Sequence, residues 1–435
     1  MLRHLPVEFK KISGNFGWLS LEQMVRLVSG AVVGALVARY LGPDNFGLYN
    51  LAITVISFGL LISQLGIAPI VLRELSKTEV GDSGILGTVF VLQMATAILG
   101  VVACYGFTKA MWPNDTGAVN LVLLMSAAVL LQPFQNLERW FQARYLSKFT
   151  VISRMAGIGA TIFLRLYLIY ARAPIEAFGL SVVAESFFTA LSLAWAYRNR
   201  GGLFSRWRFE SAIALEFLRE AVPMMSSALA IALQARLDVF LIEKFVGFHA
   251  LGLYISALKI IEIATAPSVL MAISVSPLIA RRRQEGDGSF YDALSASYKL
   301  IAILTLSMAV PIMLLAGPII HILYGAAYAG SVPLLMLLTP RIVIGGIGTA
   351  RGNFIINSGN LFLAPLSAAI GAAINLALGI VLIPRLGAEG AIYTSLISLS
   401  VTTFVIDSCW KRTRRNLNCM LSSLAQPWKF RPSDM

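Results

Sequence analysis

Apolar runs recur from one end of the chain to the other, separated by short stretches rich in charge, glycine and proline. Each run is about twenty residues long, and at about 1.5 Å of helical rise per residue it can cross a hydrocarbon core of about 30 Å. The pattern predicts an all-α integral membrane protein with twelve spans, at about 19–41, 47–70, 84–108, 118–137, 151–171, 177–197, 219–242, 251–280, 294–320, 331–351, 363–383 and 390–410. Between the spans no long stretch has soluble-domain composition, so no appended catalytic domain is expected. The charged start, Leu2 to Lys11, has no cleavage-site pattern behind it, so the first span is expected to act as its own insertion signal.

One short pattern occurs twice, each time in a hinge between two apolar runs. Val37-Ala-Arg-Tyr-Leu-Gly-Pro-Asp-Asn-Phe-Gly-Leu-Tyr-Asn-Leu-Ala52 returns as Ile242-Glu-Lys-Phe-Val-Gly-Phe-His-Ala-Leu-Gly-Leu-Tyr-Ile-Ser-Ala257. Gly42, Gly47, Leu48, Tyr49 and Ala52 recur as Gly247, Gly252, Leu253, Tyr254 and Ala257, while Arg39 becomes Lys244. Shared glycine spacing answers to backbone geometry and not merely to hydrophobicity, which favours duplication over chance. Six spans separate the copies, so both face the same side and the halves are parallel repeats. The expected division is residues 1–205 as one six-helix half, 206–410 as the other, and 411–435 as a basic cytoplasmic tail. The boundary lies in the basic segment Arg198 to Arg208, and the amphipathic stretch Phe209 to Leu218 is expected to lie at the membrane surface. The tail shows no strong periodicity and is expected to touch anionic lipid head groups.

Composition supports the membrane reading: 57% of residues are hydrophobic and 13% charged, against about 25% charged in a soluble domain. The net charge of +13 follows from topology and calls for no nucleic acid. With both termini in the cytoplasm, about twenty-three of the 35 basic residues fall on cytoplasmic segments and about five, Arg39, Lys109, Arg172, Lys244 and Arg385, on outer turns. Cys104, Cys409 and Cys419 are too few and too far apart for a disulfide framework. His4, His249 and His321 have no partner at metal-ligand spacing, so no metal or other cofactor is expected.

Polar residues within the spans fall into lines at helical spacing. Asn50, Thr54, Ser57 and Gln64 form one, Ser181, Glu185, Thr189 and Ser192 another, Ser227, Gln234 and Asp238 a third, and Glu22, Arg26 and Ser29 a fourth. Hydroxyls and amides of this kind also glue helices together, so the uncharged stripes are as compatible with packing as with a substrate path. The ionisable residues are more telling. Arg26, Arg154, Arg165, Arg236, Lys259 and Arg341 lie in apolar runs, where a lone arginine costs about 3 kcal/mol on insertion scales and must face protein or water. Glu22 with Arg26 and Lys259 with Glu262 are spaced to pair on their own helices. Arg154 and Arg165 have no acid four residues away, and Arg341 stands alone. Lys299 and Arg351 lie near span ends, where long side chains snorkel to the head groups. Counted against Glu22, Glu185, Asp238 and Glu262, the intramembrane bases are in excess. A wet lumen carrying that excess attracts an anion, and arginine grips phosphate bidentately. Prolines within or near the spans, including Pro267 and Pro277 in one long run, permit kinks.

Ala38 to Ala52, Leu65-Gly-Ile67, Val71-Leu-Arg-Glu-Leu75 and the block Ile383-Pro-Arg-Leu-Gly-Ala-Glu-Gly-Ala391 resemble Wzx-type flippases, the polysaccharide-export branch of the multidrug/oligosaccharidyl-lipid/polysaccharide (MOP) superfamily. The resemblance implies a V-shaped pair of six-helix bundles in the bacterial inner membrane that open alternately to either side. Its cargo would be an undecaprenyl-diphosphate-linked oligosaccharide, a surface-polysaccharide repeat unit, passed from inner to outer leaflet beside a polymerase and glycosyltransferases. On this reading Arg26, Arg236 and Lys259 are the first candidates for the diphosphate, Arg154 and Arg341 the second, and Gln64 and Gln234 candidates for sugar. Glu22, Asp238 and Glu262 either hold these bases or exchange protons or sodium ions. The rivals are a cation-coupled multidrug exporter, which needs an acidic lumen, and a membrane polysaccharide polymerase or ligase, which usually needs a large outer loop. A non-transporting scaffold would not need buried arginines.

Overall fold

The computed structural model describes residues 7–77, 82–409 and 411–428, with side chains from Glu22 onward except those of Lys411 and Arg412. Arg3, His4, Lys429 and Arg431 lie outside the described residues. In chain order the helices are α1 (Val7–Gln64), α2 (Ala68–Lys77), α3 (Asp82–Met111), α4 (Thr116–Leu130), α5 (Asn136–Ala143), α6 (Ser147–Tyr170), α7 (Ile175–Asn199), α8 (Ser211–Val246) and α9 (Phe248–Glu285). They continue as α10 (Asp287–Leu314), α11 (Ala316–Tyr324), α12 (Ser331–Leu338), α13 (Pro340–Asn357), α14 (Leu363–Leu386), α15 (Ala388–Ser400), α16 (Ile406–Cys409) and α17 (Lys411–Ala425). Among the described residues, eleven helical stretches are long and apolar enough to cross a membrane. The first of them, Glu22–Lys77, runs 56 residues and is broken at Gly42, where φ is +71°. Counting its two arms separately gives the twelve spans expected.

Contacts divide the chain into two compact units, Met1–Tyr40 with Leu48–Leu229, and Leu41–Gly47 with Ala230–Met435. In the first unit, α6 packs on α7, α4 on both α3 and α7, and α2 on α5. Ile67, Val71, Leu86, Val89, Leu137, Phe141 and Leu193 belong to a hydrophobic core of this unit. The segment after α7 docks onto α3: the Arg208 N–H donates to the Ser83 carbonyl (3.2 Å) and the Glu210 N–H to the Thr88 hydroxyl (2.9 Å). Phe209 to Leu218 is continuous with the helix that follows it. From Ser211 it is the first part of α8, with Ala214, Phe217 and Ala221 buried and Leu215 facing out.

In the second unit α9 packs on α10, α12 and α13, and α10 also packs on α13 and α17. Ile279, Phe290, Leu294, Tyr298, Ile301, Ile347, Phe354 and Met420 form its core. The segment 41–47 belongs to this unit and lies against the start of α9. Gly247 has φ +102°, the counterpart of the Gly42 break, and both positions need a residue without Cβ. A methyl group built on Gly47 would strike the Phe248 carbonyl, and one built on Gly252 would strike the Pro43 carbonyl. The two copies of the motif thus meet each other backbone to backbone, each glycine against the residue four before the other. Asp44 and His249 are paired at 2.9 Å beside this contact.

The tail carries a helix that its weak apolar periodicity does not announce. Lys411–Ala425 is a helix whose Thr413, Asn416, Met420 and Ser423 are almost wholly buried. Asn416 donates to Asp407 (2.8 Å) and accepts from the Tyr298 hydroxyl (2.8 Å), which ties α17 to α10 and α16.

Candidate functional site

In the first unit, polar groups on α1, α5, α6 and α7 converge on one ionic network. Arg26 and Glu22, one helical turn apart, pair at 2.9 Å, and Arg26 also reaches Glu185 at 3.3 Å. Arg154 donates through Nε and Nη2 to both oxygens of Glu138 (2.9 and 2.7 Å) and through Nη1 to Glu22 (3.2 Å). Glu22 and Glu138 are buried at 2% exposure, whereas Arg26 remains 42% exposed. The network thus has a dry acidic floor and one arginine reachable from outside it. Arg165 lies apart, donating to Ser181 Oγ (3.1 Å) and the Tyr49 hydroxyl (3.0 Å). Gln64, at the last turn of α1, is exposed, and its main-chain carbonyl accepts from Gln93 (3.2 Å).

In the second unit the candidates fall into three groups. Arg236 on α8 pairs with Glu262 on α9 at 3.2 Å, both partly exposed. Asp238, one of the most deeply buried carboxylates, accepts the Tyr254 hydroxyl and the Val239 N–H (3.0 Å) and faces Arg341 at 3.9 Å. Lys259 lies over the Phe46 ring, 5.4 Å from its centroid. Gln234 sits half-buried on α8, one turn before Asp238.

Three expectations change. Arg154 does have acidic partners, but they are distant in sequence, and Glu138 lies one residue beyond the expected end of the fourth span. Lys299 and Arg351 do not reach for head groups, since both are 5% exposed. Arg351 is locked onto Asp407 through Nε and Nη2 at 3.0 and 2.6 Å. Asp407 lies inside the expected twelfth span, so it is countable from sequence, and with Glu138 it offsets part of the intramembrane cationic excess. Lys259 was expected to pair with Glu262 along its helix, but Glu262 is held by Arg236 instead.

Residues 36–333 match the family described as polysaccharide biosynthesis protein. The chain belongs to that family. The succinoglycan biosynthesis transport protein ExoT of Rhizobium meliloti (strain 1021) is 24% identical over 76% of this chain, and the chain spans 66% of the length of ExoT. The teichuronic acid biosynthesis protein TuaB of Bacillus subtilis (strain 168) is 22% identical over 83% of this chain and 74% of its own length. Among solved structures, the lipid II flippase MurJ in an inward closed conformation superposes with a TM-score of 0.74 at 15% identity, covering 94% of this chain and 91% of that one. The fold of this family member is that of the MOP transporters, as the motif resemblance implied.

Proposed function

We propose that this protein carries an undecaprenyl-diphosphate-linked oligosaccharide from the inner to the outer leaflet of the bacterial inner membrane by alternating access of two six-helix halves. The observation that carries this reading is the family match over 36–333 in a chain with a transporter fold. The side chains support it. Arg26 and Arg236 sit within apolar helices yet keep 42% and 39% of their side-chain surface exposed. A guanidinium placed so, with donors to spare, suits the two phosphates of such a cargo. Arg26, Arg236 and Lys259 are its contacts in this reading. Arg154 and Arg341 keep neighbouring carboxylates in place, and Glu22, Asp238 and Glu262 are the sites where a proton or sodium ion could couple to movement.

The test is transport of extracted lipid-linked glycan in proteoliposomes, with export measured in cells alongside. Arg26→Gln and Arg236→Gln should each reduce both at least tenfold while membrane levels of the protein stay at wild type. Normal activity in both variants would remove them from the cargo path. A resistance phenotype towards cationic drugs without any glycan defect would instead favour the drug-exporter reading.

A further inference from the structure

A cavity of about 420 Å³ lies inside the second unit, among α8, α13, α14, α15 and the π-helical turn 401–405 that follows α15. Its size falls within the range of about 300–1,000 Å³ typical of small-molecule sites. The residues that give it chemistry are Gln234, Arg341, Asn375, Ser395, Ser398 and Thr402.

The formal charge around this space is balanced. Arg351, which also lines it, is neutralised by Asp407, and Arg341 faces Asp238. An anion or a cation entering would leave a net charge buried in a membrane-spanning bundle, whereas a neutral ligand would not. The hydrogen bonds narrow the choice further. Ser395 donates its proton to the Ile392 carbonyl (3.1 Å), Ser398 to Gly371 (2.8 Å) and Thr402 to Leu399 (3.1 Å). With their protons so engaged, these hydroxyls can offer only lone pairs to the cavity. Asn375 adds a stronger demand. Its Nδ2 donates to the Gln234 carbonyl (3.1 Å), which fixes the amide orientation because a carbonyl can only accept. Its Oδ1 is then a buried acceptor with no partner, on a side chain only 3% exposed. A wall of acceptors asks for O–H donors, and phosphate brings mostly acceptors. Arg341 supplies the complementary donors: its contacts with Ser395 (3.5 Å) and Asp238 (3.9 Å) are long, and together with its bond to the Tyr254 hydroxyl they do not use up its five N–H groups.

We propose that this cavity is a subsite for a single sugar ring of the transported glycan, recognised through its hydroxyls, and not a site for the diphosphate. The assignment rests on the transport reading above. Asn375 Oδ1, Ser398 and Thr402 accept from ring hydroxyls, while Arg341 and Gln234 donate to ring oxygens.

The experiment measures binding of two probes to purified full-length protein in nanodiscs: lipid-linked glycan extracted from the source cells, and sugar-free undecaprenyl diphosphate. Wild type should bind the glycan-bearing lipid more tightly. Asn375→Leu should weaken that binding by about three- to tenfold, the worth of one neutral hydrogen bond, and leave undecaprenyl diphosphate binding unchanged. Thr402→Val, which keeps the side-chain shape, should act in the same direction and serves if the leucine variant does not fold. Equal loss on both probes, no loss on either, or a wild type that does not distinguish them would overturn the subsite. A wild type that binds neither lipid would overturn the transport reading and the subsite with it.

Discussion

The two units hold polar groups in opposite ways on related helices. In the first, Glu22, Glu138, Glu185, Arg26 and Arg154 form a continuous ionic network. In the second, the charges are split into pairs, and hydroxyls and amides line the space next to them. The repeated tyrosines show the divergence at a single position. Tyr49 accepts from a cation, Arg165, whereas Tyr254 donates to an anion, Asp238. A duplicated backbone therefore does not require duplicated chemistry. One copy can keep charge while the other exchanges it for neutral polarity, because hydrogen-bond partners depend on a few side chains and helix packing does not.

The largest effect is expected at Asp407. Asp407→Ala would leave Arg351 as an unpaired charge at 5% exposure, with an expected loss of about 3–5 kcal/mol in the stability of the purified protein, read by chemical unfolding. Replacing both partners with apolar residues should recover most of that loss, which separates pair breakage from a need for the charges themselves. The two tyrosines come next. Tyr254→Phe removes a hydroxyl from a buried carboxylate and should cost about 1.5–3 kcal/mol. Tyr49→Phe, whose partner Arg165 keeps Ser181, should cost about 0.5–1.5 kcal/mol. Equal effects in the same unfolding assay would mean the two copies are still chemically equivalent. The smallest effect is expected at the exposed pair of Arg73 and Glu220, 3.0 Å apart, where Glu220→Gln should change stability by less than about 1 kcal/mol.

Much of the fold was legible because hydropathy and glycine spacing are local signals. The twelve spans follow from runs that a bilayer demands, and the doubled motif from backbone breaks at Gly42 and Gly247 that only glycine tolerates easily. Side-chain partnerships were less legible because they join residues far apart in sequence. Arg154 shows this: its acids lie 16 and 132 residues away, where no helical-spacing rule looks. The tail was missed for another reason. Its buried stripe, Thr413, Asn416, Met420 and Ser423, has helical spacing but is mostly polar, so a search for apolar periodicity passes over it. Asn375 reads as one amide in an apolar run, and its unsatisfied oxygen emerges only once Gln234 is placed beside it.

The backbone contact between Gly47 and Gly252 constrains how this gene can drift. At most touching positions a larger residue on one side can be offset by a smaller one on the other, but no residue is smaller than glycine. Each site is held by the other's main chain, so neither can be rescued by a second change at its counterpart. Duplication usually frees one copy to vary; here it has left both copies without that freedom at the point where they touch.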